Sequence, residues 1–166
     1  MNRRTVVDQA SDEAARYLRL LTRDDAPAAH DELQERAASR ALITNSLVHA
    51  DAIETLRLGL ARLAGQDPTS TVPPIAVSTL RGELADNGEW KKNPARPAII
   101  IGTIDMVGSK LLFSGYGDGR YGRAHHAGLI GQDTLIIHDE AHLSPAFDEL
   151  LKSVAAVQRS DGEFRP

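Results

Sequence analysis

Two long helical patterns occupy the first part of the chain. Apolar residues at helical spacing predict a helix from about Asp8 to Leu21 and a longer helical region from about Asp31 to Ala64. Gly65 and Pro68 end the second pattern, because glycine and proline both interrupt helices. Residues 66–74 have the composition of a loop.

Three short, continuous apolar runs follow at residues 75–77, 98–101 and 134–137. Continuous rather than alternating apolar character is typical of parallel strands that are covered on both faces. A helix from about Ile104 to Phe113 and a glycine-rich segment from Ser114 to Gly122 are predicted between the last two runs. The alternation of helices and strands predicts an α/β fold.

The last helix has a clear start signal. Ser144 suits the N-cap and Pro145 the first helical position. The apolar face that follows consists of Phe147, Leu150, Leu151 and Val154.

The composition is typical of an ordinary globular domain and suits a reducing compartment. The chain has 166 residues, of which 42% are hydrophobic, and it contains no cysteine. A disulfide scaffold, a cysteine-based zinc site and a cysteine nucleophile are therefore excluded, and a cytoplasmic location is predicted. No apolar run approaches the roughly 20 residues of a membrane span, so no membrane partner is expected.

Charge is distributed unevenly around a net value of −4. Residues 81–123 carry seven lysines and arginines against five acids, whereas residues 124–166 carry three against seven. The basic middle segment suits contacts with phosphate groups. Ordinary variation of a solvated surface explains the same numbers.

The strongest chemical signal is the tetrad Asp139-Glu140-Ala141-His142 at the end of the third apolar run. Open α/β sheets bind ligands at the carboxyl ends of their strands, which is where this run delivers two adjacent carboxylates. Phosphoryl-transfer enzymes need such a pair, because one carboxylate holds Mg²⁺ and the next orients the attacking water. Without its context, Asp139-Glu140 is as well explained by a surface turn before Ser144.

The tetrad and several other segments of the chain resemble the motifs of a known helicase family. Asp-Glu-Ala-His is the Walker B signature of DEAH-type superfamily two helicases, and the chain is similar over residues 2 to about 150 to the CRISPR-associated helicase–nuclease of type I systems, particularly the type I-U/I-G branch. The segments that carry this similarity besides the tetrad are residues 2–9, 78–82, 102–109, 111–117, 126–133 and 143–147. The resemblance implies that residues 1–166 are part of the first RecA-like domain, a truncated parallel sheet flanked by helices that lacks the P-loop strand.

The resemblance also implies roles for individual residues. Asp139 would bind Mg²⁺, Glu140 would position the hydrolytic water, both would contact ATP, and His142 would couple nucleotide state to neighbouring motifs. The residues implied to contact backbone phosphates of single-stranded DNA are Arg3, Arg4, Arg81, Gly82 and Thr103. His138 stands where the family has an apolar strand residue, and we expect it to be tolerated there.

A P-loop lysine is missing from this chain. Of its four lysines, Lys91, Lys92 and Lys152 lie in the wrong context, and Lys110 is followed by leucine without the required strand, loop and helix. We therefore expect no ATP hydrolysis by these residues alone, and ATP and Mg²⁺ to act in the complete parent enzyme. Strand edges left open by the missing strand predict marginal stability or association with a complementary chain. The missing helicase half and a CRISPR surveillance complex are the partners considered.

The sequence also fits functions other than that of a helicase. The main alternative is a non-catalytic subunit that binds single-stranded DNA or a partner. A helical scaffold protein explains the first 68 residues but not the later motifs. A nuclease site at His30-Asp31 or His138-Asp139 lacks the further ligands it needs, and His125-His126 lacks a carboxylate at helical ligand spacing.

Overall fold

The computed structural model describes residues 3–22, 28–29, 31–32, 35, 50–81 and 87–160, with the backbone alone for residues 3–5, 50 and 51. The helices are α1 (Arg3–Leu20), α2 (Ala50–Leu63), α3 (Glu89–Lys92), α4 (Ile104–Leu111), α5 (Gly122–Gly131) and α6 (Pro145–Ser160). The strands are β1 (Ala76–Leu80) and β2 (Ala98–Gly102). The chain divides into two compact units, the first comprising Met1–Leu80 with Ala85–Ile101 and the second Arg81–Leu84 with Gly102–Pro166.

The first unit contains a parallel sheet of two strands, β1 and β2, flanked by helices. The amide of Ala76 donates to the carbonyl of Pro97 at 2.8 Å and sets the register at the start of the pair. Helices α1 and α3 both pack on β1. Ala76, Ser78 and Leu80 are buried, so every second residue of β1 faces the core of this unit. The α/β class and the parallel pairing are as predicted.

The buried hydroxyl of Ser78 joins β1 to Asn87 and Trp90. Ser78 is 1% exposed, and its hydroxyl donates to Asn87 Oδ1 at 2.6 Å. Asn87 Nδ2 in turn donates to the carbonyl of Val77 at 3.0 Å, and Ser78 Oγ accepts the amide of Trp90 at 3.3 Å. These bonds place Trp90, which is 3% exposed, in the core. The sequence pattern did not predict the short helix that carries Trp90.

The described residues of the second unit form three α-helices, α4, α5 and α6. Helices α4 and α5 pack on each other. Phe147 of α6 lies against Gly108 of α4, where an added Cβ would be 3.4 Å from the ring. Gln158 Nε2 donates to the carbonyl of Gly131 at 2.6 Å and joins the far end of α6 to the end of α5.

The predicted strand at residues 134–137 is wrong. Residues 134–138 have no regular secondary structure, and Leu135 and Ile137 are 85% and 83% exposed. A strand exists only where another strand pairs with its backbone, and the sheet of the described residues consists of β1 and β2. The apolar run therefore lacks the pairing that its hydrophobicity alone suggested.

The other predicted elements differ mainly at their boundaries. Helix α1 begins at Arg3 rather than Asp8, β1 extends to Leu80, and α4 ends at Leu111 rather than Phe113. The region predicted to be helical from Asp31 to Ala64 is confirmed as α2 in its second half, while most of its first half lies outside the described residues. The last helix begins at Pro145 as predicted. Helix α5 was not predicted.

Among the described residues, no helix combines the length and the apolar character that crossing a membrane requires.

Candidate functional site

Two of the residues that the resemblance implies to contact DNA lie immediately after the two strands. Arg81 comes immediately after β1 and is exposed, and Thr103 comes immediately after β2 and opens α4. The carbonyl of Thr103 accepts the amide of Val107 at 3.0 Å, whereas its hydroxyl makes no capping bond to the helix. Because neighbouring parallel strands end at the same edge of a sheet, both residues emerge at that edge.

The other three residues that the resemblance implies to contact DNA lie wholly or partly outside the described part of the chain. Arg3 and Arg4 form the first turn of α1, but their side chains lie outside the described part of the chain. Gly82 also lies outside it, as does His30 of the first His-Asp pair. Of the five implied residues, the structure thus describes the side chains of Arg81 and Thr103, each directly after one of the two paired strands.

Asp139 and Glu140 form a tight turn in the second unit. Asp139 Oδ1 accepts the amide of Glu140 at 2.8 Å, and the carbonyl of Glu140 accepts the amide of Leu143 at 2.9 Å. Glu140 has φ 52° and ψ 37°, a left-handed conformation that is uncommon for a residue with a side chain. Such conformations are often found at functional sites. His142 lies in the following 3₁₀ turn, Ala141–Leu143, and is exposed.

His138 is packed rather than solvated. Its ring meets Phe147 edge-on, with ring centroids 5.0 Å apart. Both ring nitrogens are buried, and neither has a hydrogen-bond partner among the described residues. His138 thus lies in a segment without regular structure rather than in a strand, and its packing against Phe147 leaves two polar atoms unsatisfied.

The carboxylate of Asp139 fits the way in which Mg²⁺ is held beside a nucleotide. That ion binds through one or two carboxylates together with waters and phosphates, rather than in a cage of protein ligands. Asp139 is exposed, and its Oδ2 has no partner among the residues that the structure describes. Those residues contain no group of three or more histidine, aspartate or glutamate side chains placed to hold a metal by themselves.

Each of the four lysines has a partner within its own unit. Lys110 is 2% exposed and bonds to Asp118, while Lys152 pairs with Asp148 and Glu149 at 2.7 and 2.9 Å. The two carboxylates and their hydrogen bonds raise the pKa of Lys152 well above its ordinary value. Lys92 pairs with Glu89, and Lys91 lies over the ring of Trp90 at 5.9 Å. Lys110 is therefore occupied by Asp118 in this structure.

A buried charged cluster that the sequence pattern did not reveal lies between α4 and α5. Lys110 Nζ is 3.0 Å from both carboxylate oxygens of Asp118, and His126 Nδ1 is 2.9 Å from Asp118 Oδ1. The side chains of Lys110 and Asp118 are only 2% and 3% exposed. We call these three residues the Asp118 cluster. It fixes the glycine-rich segment onto the two helices that flank it.

Two opposing effects act on the carboxyl of Asp118. Burial by itself raises its pKa, because a charge is less stable away from water. Hydrogen bonds from His126 and Lys110, together with the positive charge of Lys110, outweigh burial and hold the pKa below its ordinary value. Asp118 is therefore an ionised acceptor. The carboxylate partner of His126 comes from the loop eight residues earlier, which no helical spacing could have indicated.

Comparison of the chain with protein-family models, with curated proteins and with solved structures finds no match.

Proposed function

We propose that the chain is part of the first RecA-like domain of an ATP-dependent superfamily two DNA helicase of CRISPR interference. The observation that carries the proposal is the position of Arg81 and Thr103, each directly after one of two neighbouring parallel strands. A basic side chain and a hydroxyl at the carboxyl edge of such a sheet suit the phosphates of a nucleic-acid backbone. Contacts to phosphates carry no base preference, as a translocating enzyme requires.

The nucleotide side of the proposal depends on the turn at Asp139 and Glu140. In the complete enzyme, Asp139 would hold Mg²⁺ and Glu140 would orient water toward the terminal phosphate. The left-handed conformation of Glu140 and the exposed carboxylate of Asp139 support this assignment. A nucleotide site also needs a phosphate-binding lysine, and Lys110, the lysine nearest to a glycine, is buried against Asp118. We therefore assign these residues no ATP turnover of their own.

Binding of single-stranded DNA tests the proposal. Anisotropy of a fluorescein-labelled oligo(dT) should report binding by the whole chain, with an affinity that falls as salt rises. Arg81→Ala should weaken binding about equally for oligo(dT) and for mixed sequences, because its contact would be to phosphate. Arg62→Ala is the matched control, since Arg62 is an exposed arginine in the last turn of α2. Equal loss in both variants, or binding by neither variant nor the original chain, would overturn the proposal.

A second function is favoured by the exposed apolar run. Leu135 and Ile137, exposed on a segment without regular structure, are typical of a surface that adds a strand or binds another chain. This observation supports a non-catalytic partner-binding subunit. The DNA around the coding region distinguishes the two functions. Codons for a P-loop directly upstream support the helicase, whereas intergenic sequence on both sides supports the subunit.

A further inference from the structure

The connection between α4 and α5 carries an unusual share of the aromatic residues. The chain has three phenylalanines, three tyrosines and one tryptophan, and Phe113, Tyr116 and Tyr121 lie within nine residues of one another. They are 58%, 60% and 93% exposed. Single exposed apolar side chains are common, but three exposed rings on one short connection mark an interaction surface.

The exposed charge of this connection is positive. Arg120 and Arg123 are both exposed, and Asp118 is the only acidic residue from position 112 to 132. The Asp118 carboxylate is buried against Lys110 and His126, so it does not offset the two arginines at the surface. The surface therefore attracts a polyanion.

Several contacts tie the backbone of the connection to the helices on either side. The Asp118 cluster ties its centre to both helices. The amide of Asp118 donates to the carbonyl of Gly115 at 3.2 Å, and the amide of Gly122 donates to that of Gly119 at 2.9 Å. A ligand would therefore meet a connection whose backbone needs little ordering, which favours affinity.

Phe113 occupies a position that suits glycine. It has φ 58°, and it follows α4 in a Schellman arrangement, in which the amide of Ser114 donates to the carbonyl of Ser109 at 2.8 Å. An exposed phenylalanine in the left-handed region gives the fold strain in place of core packing. The ring is thus available for a contact outside the chain.

We infer that Phe113, Tyr116 and Tyr121, with Arg120 and Arg123, form a stacking surface for single-stranded nucleic acid. The bases stack on the rings, and the guanidinium groups contact the phosphates, which is the combination that binds single strands without sequence preference. The surface adds a contact that the helicase motifs do not assign, and it rests on the proposed function only in the choice of ligand.

Four variants of the whole chain test this surface with oligo(dT). Tyr121→Ala should weaken binding roughly tenfold, whereas Tyr121→Phe, which keeps the ring, should stay within about twofold of the original. Phe113→Gly should weaken binding while its thermal unfolding midpoint stays the same or rises, so that lost affinity is separated from lost folding. Tyr17→Ala is the control, since Tyr17 is a 51% exposed tyrosine on α1.

An oligomer of abasic nucleotides separates stacking from charge. It should bind Tyr121→Ala and the original chain equally, because it offers phosphates but no bases. Loss of affinity for both oligomers in Tyr121→Ala, or unchanged oligo(dT) affinity in Tyr121→Ala and Phe113→Gly, would overturn the stacking surface. If Arg81→Ala still weakens binding in that case, the proposed function stands without the surface. If Tyr121→Ala and Phe113→Gly weaken binding but Arg81→Ala does not, the surface stands and the helicase assignment of Arg81 fails.

Discussion

At the scale of single residues, Asp118 is a buried charge that holds α4 and α5 of the second unit together. It is the acceptor for a lysine that is almost completely buried, and removing one member of a buried ion pair leaves an uncompensated charge. Asp118→Asn should lower the free energy of unfolding by about 3–5 kcal/mol, measured by urea denaturation. Asp133→Asn is the matched control, because Asp133 is an exposed loop aspartate of the same unit. Equal stability of the two variants would contradict the role of the Asp118 cluster.

The same carboxylate predicts a dependence of stability on pH. Its pKa in the folded chain is held below that in the unfolded chain, so it stabilises the fold above the unfolded value of about 4. That contribution is lost as the pH falls through the folded pKa. Thermal unfolding between about pH 5 and about pH 3 should show a larger decrease in midpoint for the original chain than for Asp118→Asn. Parallel curves would show that Asp118 is not the titrating group.

Replacement of His138 should raise the free energy of unfolding, whereas replacement of Asp118 should lower it. Its two buried ring nitrogens have no partner among the described residues, and an unsatisfied buried polar group costs about 1–3 kcal/mol. His138→Leu should therefore raise the free energy of unfolding, by about 1 kcal/mol after the loss of the edge-on contact with Phe147. Calorimetry of the two chains measures this difference. A lower midpoint for His138→Leu would mean that the nitrogens are satisfied in solution.

At the scale of elements, the connection between α4 and α5 requires glycine at one place and tolerates a side chain at another. A Cβ at Gly115 would lie 2.1 Å from Asp118 Oδ2 and 2.9 Å from Lys110 Cγ, whereas a Cβ at Gly119 has nothing within 4 Å. Gly115→Ala should displace the Asp118 cluster and lower the unfolding midpoint by several degrees, by the usual scale of about 1 kcal/mol for 2–8 °C. Gly119→Ala should leave the midpoint nearly unchanged. A similar loss in both would contradict the described loop geometry.

Hydrophobic patterning predicted β1, β2 and α6 because each is an apolar segment bounded by strong turn or cap residues. It was wrong at residues 134–137, where the pattern was the same but strand pairing, a long-range property, decides the outcome. It missed α5 because Gly122, Gly128 and Gly131 lower helix propensity, and packing on α4 overrides that preference.

The candidate site was predictable to a similar extent. The resemblance to helicase motifs, rather than any spacing, named Arg81 and Thr103, and the structure places each of them directly after a strand. The Asp118 cluster could not, because the turn of the loop, rather than any regular spacing, brings Asp118 to Lys110 and His126. The exposure of Tyr121 likewise depends on tertiary packing and is not readable from the sequence.

At the scale of the whole molecule, the chain has a net charge of −4. Exposed positive side chains nevertheless lie after β1, at Arg81, and on the connection between α4 and α5, at Arg120 and Arg123. A polyanion would be attracted locally but repelled overall, so we expect binding that is weak at physiological salt and strengthens steeply at low salt. The carboxylate pair Asp139 and Glu140 accompanies these groups without a free phosphate-binding lysine among the residues described. We therefore propose that the chain is a DNA-binding part of a motor and that it does not turn over ATP by itself.

The most direct test is ATP hydrolysis by the purified chain with Mg²⁺ and single-stranded DNA, run beside Glu140→Gln at a salt concentration where anisotropy reports bound DNA. The account predicts that DNA is bound and that phosphate release does not exceed that of Glu140→Gln. Turnover that is lost in Glu140→Gln would contradict it, because a phosphate site would then exist without a P-loop lysine. Absence of bound DNA at every salt concentration would contradict it as well.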